Sequence, residues 1–88
     1  MKTQYSLFLK PSAEKELRKV PASFLEKVFA KIGTLAETPR PFGVKLMKGE
    51  ERSYRLRQGD YRIVYDIDDV ARVVTIMKIG HRREVYDV

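Results

Sequence analysis

The chain has 88 residues, 43% hydrophobic and 34% charged, which fits one folded domain over residues 1–88 with a modest core and excludes a disordered tail. It has no cysteine and one histidine, which excludes disulfides and thiolate chemistry and argues against a zinc site. The formal net charge of +6 favours a polyanionic partner, nucleic acid first, although solubility or an acidic protein partner would also explain it.

The N-terminal half predicts a strand followed by two helices. Residues 5–9 have the composition of a strand, and a proline ends it. Apolar residues at helical spacing then predict a short helix with Ser12 as its N-cap. A second helix follows, with Ser23 and Glu26 as a capping box. Residues 38–49, punctuated by prolines and glycines, connect this helical hairpin to the rest of the chain.

The C-terminal half predicts three strands joined by short turns, which makes neighbouring strands antiparallel. They cover residues 53–57, 61–67 and 71–79. We therefore expect an α+β fold with the element order βααβββ. In this fold the two helices pack on one face of a four-stranded, mainly antiparallel sheet.

The strand of residues 61–67 is expected at the centre of the sheet, because β-branched and aromatic residues dominate it. Alternation places its apolar side chains on the face that the helices cover: Tyr61, Ile63, Tyr65 and Ile67. Arg62 then points to the other face, in the middle of an apolar strand. Three explanations for this arginine are open. Arg62 could extend into solvent from a sheet edge, pair with Asp66, or serve a site that needs a fixed positive charge.

The same alternation places Arg55, Arg57 and Arg62 together on the uncovered face, beside a basic segment that begins at His81. Guanidinium groups bind phosphate through two hydrogen bonds and keep their charge. RNA can be cut without a metal when its own 2′-OH attacks the adjacent phosphorus, if charge and proton transfer are supplied. Histidine, with an ordinary pKa of about 6.5, suits the proton transfer. Each residue alone is more often a solvated surface charge, so their convergence is what indicates a site.

Two motifs closely resemble the RelE toxins of the RelE/ParE superfamily. They are Tyr-Arg-Leu-Arg-x-Gly-Asp-Tyr-Arg-Ile-Val-Tyr at residues 54–65 and Ile-Gly-His-Arg-Arg-Glu-Val-Tyr at residues 79–86. The predicted element order and the segment of residues 13–19 also fit. The resemblance implies a ribosome-dependent mRNA endonuclease (mRNA interferase) that cleaves A-site codons without a metal or cofactor and halts translation. It also implies inhibition by a cognate RelB-like antitoxin, in a hetero-oligomeric complex that binds operator DNA through the antitoxin.

The resemblance also implies roles for individual residues. Arg57 and Arg62 would stabilise the phosphate, and Arg82 would act on the leaving-group side. Tyr86 would stack on or orient a nucleotide base. RNA contacts are expected from a further set of basic residues: Lys45, Lys48, Arg52 and Arg83.

The general base that takes the 2′ proton differs from the one in the best-known relatives. Relatives often have lysine at the position of Arg55, where it looks like the acceptor of the 2′ proton. Arginine is a poor base because its pKa exceeds 12. His81 is therefore the expected substitute, and the full catalytic set comprises Arg55, Arg57, Arg62, His81, Arg82 and Tyr86.

Three alternatives keep the same fold or charge. A ParE-like toxin would act on DNA gyrase through protein contacts, but it does not need the basic residues together with Tyr86. A non-catalytic RNA-binding module would bind RNA without cutting it, and an inactive copy of the toxin would do neither. No apolar run reaches the roughly 18 residues of a membrane span, and no signal peptide is recognisable, so we expect a cytoplasmic protein.

Overall fold

The computed structural model describes residues 4–47 and 53–81, in which two helices pack on one face of a five-stranded sheet. The elements in chain order are β1 (Ser6–Leu9), α1 (Pro11–Arg18), α2 (Ala22–Thr34), β2 (Lys45–Leu46), β3 (Ser53–Gln58), β4 (Tyr61–Asp68) and β5 (Val73–His81). The strands lie side by side in the order β1-β5-β4-β3-β2. β1 and β5 are parallel, and the other neighbouring pairs are antiparallel.

The predicted α+β class is confirmed, whereas the predicted count of four strands is too low by one. The additional strand is β2, which pairs antiparallel with β3 and places Lys45 opposite Arg55. A strand of two residues is too short for alternation to distinguish it from a loop. β2 forms the outer edge of the sheet, next to the strand that carries two of the predicted site residues.

Both helices begin earlier than their predicted capping residues. Pro11 is the first residue of α1, and Pro21 is the N-cap of α2, so neither Ser12 nor Ser23 caps a helix. No side-chain hydrogen bond is made at either N-cap. Proline is favoured in the first turn because its missing N–H would have no partner in the helix there. Pro11 therefore starts α1 as well as ending the element before it, and Pro21 occupies the N-cap position of α2.

The core lies between the helices and the sheet. Its buried helix-side residues are Ala13, Leu17, Val20, Val28, Ile32 and Leu35, and they meet Leu56, Ile63, Tyr65, Ile67, Val74, Ile76 and Ile79 from the strands. The predicted apolar face of β4 is confirmed, because Ile63 and Tyr65 are fully buried and Tyr61 packs at the margin of the core. Arg62 lies between Tyr61 and Ile63 in sequence and therefore points away from the helices.

β5 contributes two core residues that are three positions apart. Ile76 and Ile79 are both buried, although strict alternation would send them to opposite faces. A register shift against β4 resolves this conflict, because Met77 is the extra residue of a β-bulge. Beyond the bulge the strand continues to His81, two residues past its predicted end.

The loop between α2 and β2 is attached to the sheet by hydrogen bonds of Arg40. Its guanidinium donates to both carboxylate oxygens of Asp69, at 2.8 and 3.1 Å, and to the Tyr54 hydroxyl at 3.0 Å. The Tyr5 hydroxyl also donates to Asp69, at 2.6 Å. The hydrogen bonds from Arg40 and then Tyr5 hold the pKa of Asp69 at about 2, below its ordinary value of 3.8.

We expect Asp69→Asn to destabilise the protein in a pH-dependent way. The pKa of Asp69 is lower in the folded state, so its stabilising contribution is complete above the ordinary pKa of 3.8 and is lost as the pH falls from there towards about 2. The effect is small, because both partners are about half exposed. Urea midpoints of wild type and variant should differ near neutral pH and converge at the acid end, whereas a constant difference would contradict the assignment.

Candidate nucleic-acid interface

The sheet face that the helices leave uncovered carries four cationic side chains at neighbouring register positions. Arg57 lies opposite Arg62 across β3 and β4, and Lys45 lies opposite Arg55 across β2 and β3. Directly opposed residues point to the same face, and Arg55 and Arg57 are two residues apart on one strand. All four side chains therefore share one surface, which we call the basic face.

Arg62 stands at the centre of the basic face. It is half-buried, and its Nε atom is fully buried. Its strand is the middle one of five, which excludes extension from a sheet edge as the explanation of its position. Asp66, the predicted partner, accepts a hydrogen bond from the Ser53 hydroxyl at 2.5 Å. Gly80 lies opposite Arg62 on β5 and has no side chain to occupy the sheet surface beside the guanidinium.

The arginines of the basic face affect one another electrostatically. Burial, followed by the nearby charges of Arg62 and Arg57, lowers the pKa of Arg55. Like charges this close disfavour each other's charged forms, and a bound anion would reverse that effect. A phosphate group, which guanidinium binds through two hydrogen bonds, would therefore stabilise the arrangement.

A cavity of about 190 Å³ opens at the β2 side of the basic face. It is lined by Gly43, Lys45, Arg55 and Arg57. Gly43 was not among the predicted site residues; it lies in the loop before β2 and lines the part of the cavity that carries no charge. Because β2 pairs with β3, Lys45 and the loop before it lie next to Arg55, and this pairing is visible only once β2 is known to be a strand.

His81 lies on the opposite face of the sheet from Arg62. It is paired with Tyr61, and its ring meets the Tyr61 ring edge-on with 5.6 Å between the centroids. Tyr61 in turn packs against Phe24 of α2, at 5.7 Å between centroids. Since Gly80 lies opposite Arg62, the next residue along β5 must point to the other side. The expected convergence of the histidine with the arginines is therefore not found.

Five predicted site residues lie outside the described ranges: Lys48, Arg52, Arg82, Arg83 and Tyr86. Their proposed roles stay predictions. Within residues 4–47 and 53–81, no group of three or more His, Cys, Asp or Glu side chains is arranged to hold a metal ion. In the same part of the chain, no helix is long and apolar enough to cross a membrane.

Comparison with known proteins gives consistent matches over nearly the whole chain. The sequence model of a family described as "ParE toxin of type II toxin-antitoxin system, parDE" matches residues 7–86. The chain is 32% identical over 84 residues to Toxin RelG of Mycobacterium tuberculosis, covering 93% of this chain and 95% of the relative. It is 34% identical over 86 residues to Toxin RelE of the same organism, covering 93% and 86%.

A solved structure shares the fold of this chain at a similar sequence identity. It is the crystal structure of the toxin–antitoxin complex RelBE2 from Mycobacterium tuberculosis, in which a chain superposes with a TM-score of 0.77 at 30% sequence identity. The match covers 91% of this chain and 93% of that chain. The two helices and the sheet that bears the basic face therefore belong to a shared architecture.

Proposed function

This chain is a RelE-type toxin of the RelE/ParE superfamily and belongs to a type II toxin–antitoxin system, and we propose that it is a ribosome-dependent mRNA endonuclease that cleaves A-site codons. The observation that supports the cleavage activity is the basic face. Arg55, Arg57 and Arg62 lie in adjacent register on its central strands. Three guanidinium groups in one place suit a phosphodiester whose negative charge increases in the transition state.

In the proposed reaction the 2′-oxygen of the RNA forms a bond to the adjacent phosphorus, and the bond from phosphorus to the 5′-oxygen breaks. The products are a 2′,3′-cyclic phosphate and a 5′-hydroxyl group. Arg57 and Arg62 hold the non-bridging oxygens, and they bind the more highly charged phosphorane more tightly than the diester. By resemblance, Arg82 acts at the 5′-oxygen, which takes a proton from solvent, and Tyr86 orients a base.

The positions of Arg55 and His81 support a proposal for the fate of the 2′ proton. Arg55 belongs to the basic face, but even with a lowered pKa a guanidinium stays protonated at neutral pH. His81 lies across the sheet, against Tyr61. We propose that the 2′ proton is lost to solvent in an equilibrium before the attack, so the reactive 2′-oxyanion becomes more abundant as the pH rises. Arg55 stabilises the negative charge on that oxygen.

This assignment predicts the pH dependence of cleavage. The single-turnover rate on programmed ribosomes should rise through neutral pH without levelling near 6.5, the ordinary pKa of histidine. His81→Ala should keep the same profile, because no histidine takes the proton. A wild-type profile that levels near that pH, and loses its inflection in His81→Ala, would instead make His81 the general base.

We propose a RelB-like antitoxin as the protein partner. The matching solved structure is itself described as a toxin–antitoxin complex. The antitoxin would inhibit the toxin within a hetero-oligomer that binds operator DNA through the antitoxin. On the ribosome, RNA contacts would come from Lys45, Lys48, Arg52 and Arg83. With these partners, we propose that the protein acts in the cytoplasm and not at a membrane.

A second candidate is inhibition of DNA gyrase. The description of the matching family as a ParE toxin favours it. A cell-free translation assay and a gyrase supercoiling assay separate the two functions. Continued translation with intact mRNA and inhibited gyrase would support the second candidate, whereas stalled translation with cut mRNA supports the first. A toxin that binds RNA without producing cut ends would be a non-catalytic RNA-binding module.

A further inference from the structure

Phe42 is a large apolar residue placed entirely in solvent. Its relative exposure of 105% is the highest among the exposed large hydrophobic residues in the described part of the chain. Single exposed apolar residues are common on protein surfaces, so exposure alone does not define a site. The surroundings of Phe42 distinguish it from the other exposed apolar residues.

The loop that presents Phe42 is attached to the sheet just before this residue. Arg40 is bound to both carboxylate oxygens of Asp69. The Pro39 carbonyl accepts a hydrogen bond of 2.8 Å from the hydroxyl of Tyr65, whose ring lies in the core. An aromatic ring on an attached loop loses little conformational freedom when a ligand binds, which favours binding.

Phe42 is also the direct neighbour of the cavity on the basic face. Gly43 follows it at the Cα spacing of about 3.8 Å and lines the cavity together with Lys45, Arg55 and Arg57. Gly43 has a φ of +91°, a conformation that glycine adopts readily and other residues rarely do. An exposed aromatic residue and a pocket with three cations are therefore adjacent.

We propose that Phe42 and this cavity form a nucleotide subsite for single-stranded RNA. The phosphate next to the scissile one enters the cavity, and a neighbouring base stacks on the Phe42 ring. Aromatic stacking combined with cations along the backbone is how proteins bind single-stranded RNA. Arg57 lines the cavity and lies opposite Arg62, so the subsite is adjacent to the proposed cleavage site. The inference rests on the proposed function, because it takes mRNA as the ligand.

Binding can be measured without cleavage on ribosomes programmed with an mRNA that has 2′-deoxyribose in the A-site codon, since the attacking hydroxyl is then missing. Phe42→Ala is expected to weaken toxin binding by about 5- to 150-fold, the range for loss of one stacking aromatic residue. Phe42→Tyr keeps the ring and should bind like the wild type. Removing the stacked base from the mRNA should weaken the wild type equally and should not weaken Phe42→Ala further.

Phe29→Ala is the matched control, because Phe29 is 63% exposed and lies on α2, on the other side of the sheet. It should leave RNA binding unchanged. Equal binding by wild type and Phe42→Ala would overturn the proposal. A loss of binding in Phe42→Ala that does not depend on any mRNA base would also overturn it, because it indicates a contact of Phe42 with ribosomal RNA. So would a loss of binding confined to the complex with the antitoxin, because it indicates a contact of Phe42 with protein. Cleavage of all-ribose mRNA is measured separately, so intact mRNA contradicts the proposed function without contradicting the subsite.

Discussion

Replacing Arg62 by alanine is expected to lower the single-turnover rate of mRNA cleavage by about 10²- to 10³-fold, the cost of removing one preorganised group that stabilises transition-state charge. Toxicity on expression should disappear with it. Arg62 lies at the centre of the basic face, between Arg57 on one neighbouring strand and Gly80 on the other. No other described position is flanked in this way by an arginine and an empty sheet surface.

Two further variants separate the role of Arg62 from its charge and from the fold. Arg18→Ala removes the same charge from α1, where Arg18 forms an exposed ion pair with Glu14 at 3.2 Å, and it should cleave normally. Arg62→Lys keeps a charge but loses the planar fork, so its rate should fall between those of wild type and Arg62→Ala. Urea unfolding should show that the three variants remain folded. Equal cleavage by Arg62→Ala and Arg18→Ala would remove Arg62 from the site.

Replacing the adjacent residue, Ile63, should instead affect stability. Ile63 is fully buried in β4 and points into the core between the helices and the sheet. Deletion of most of a buried isoleucine side chain costs about 2–5 kcal/mol, because the surrounding core closes the cavity only in part. Small domains have a total stability of about 5–15 kcal/mol, so Ile63→Ala should lose a large part of it.

The measurement is the free energy of unfolding from urea titration. Val70→Ala is the control, because Val70 is 96% exposed in the turn after β4 and its loss should change little. A change below about 1 kcal/mol in Ile63→Ala would contradict the packing of β4 against the helices. The variants at these two neighbouring residues would thus separate the two roles of β4: Arg62 serves catalysis and Ile63 serves the core.

The sequence predicted these two roles because they depend on alternation along a single strand. Alternation needs no knowledge of neighbouring strands, and it placed Arg62 and Ile63 on opposite faces. The α+β class followed in the same way from local periodicity. The helix starts were predicted less well. Ser12 and Ser23 have the chemistry of N-caps, but Pro11 begins α1 and Pro21 occupies the N-cap position of α2.

Features that depend on register were not predictable from the sequence. The face to which His81 points is set by its pairing with Tyr61 and by the bulge at Met77, both of which are non-local. The pairing of Lys45 with Arg55 likewise depends on a two-residue strand. Phe42 was not among the predicted site residues, because its exposure and the cavity beside it are visible only in the folded structure.

The proposed endonuclease activity can be measured as single-turnover cleavage of mRNA on ribosomes programmed with a defined A-site codon. The purified toxin should cut the mRNA within that codon and leave a 2′,3′-cyclic phosphate and a 5′-hydroxyl group at the new ends. Toxin mixed beforehand with its antitoxin should leave the mRNA whole. Intact mRNA in the presence of folded, unbound toxin would show that the protein is not a ribosome-dependent mRNA endonuclease.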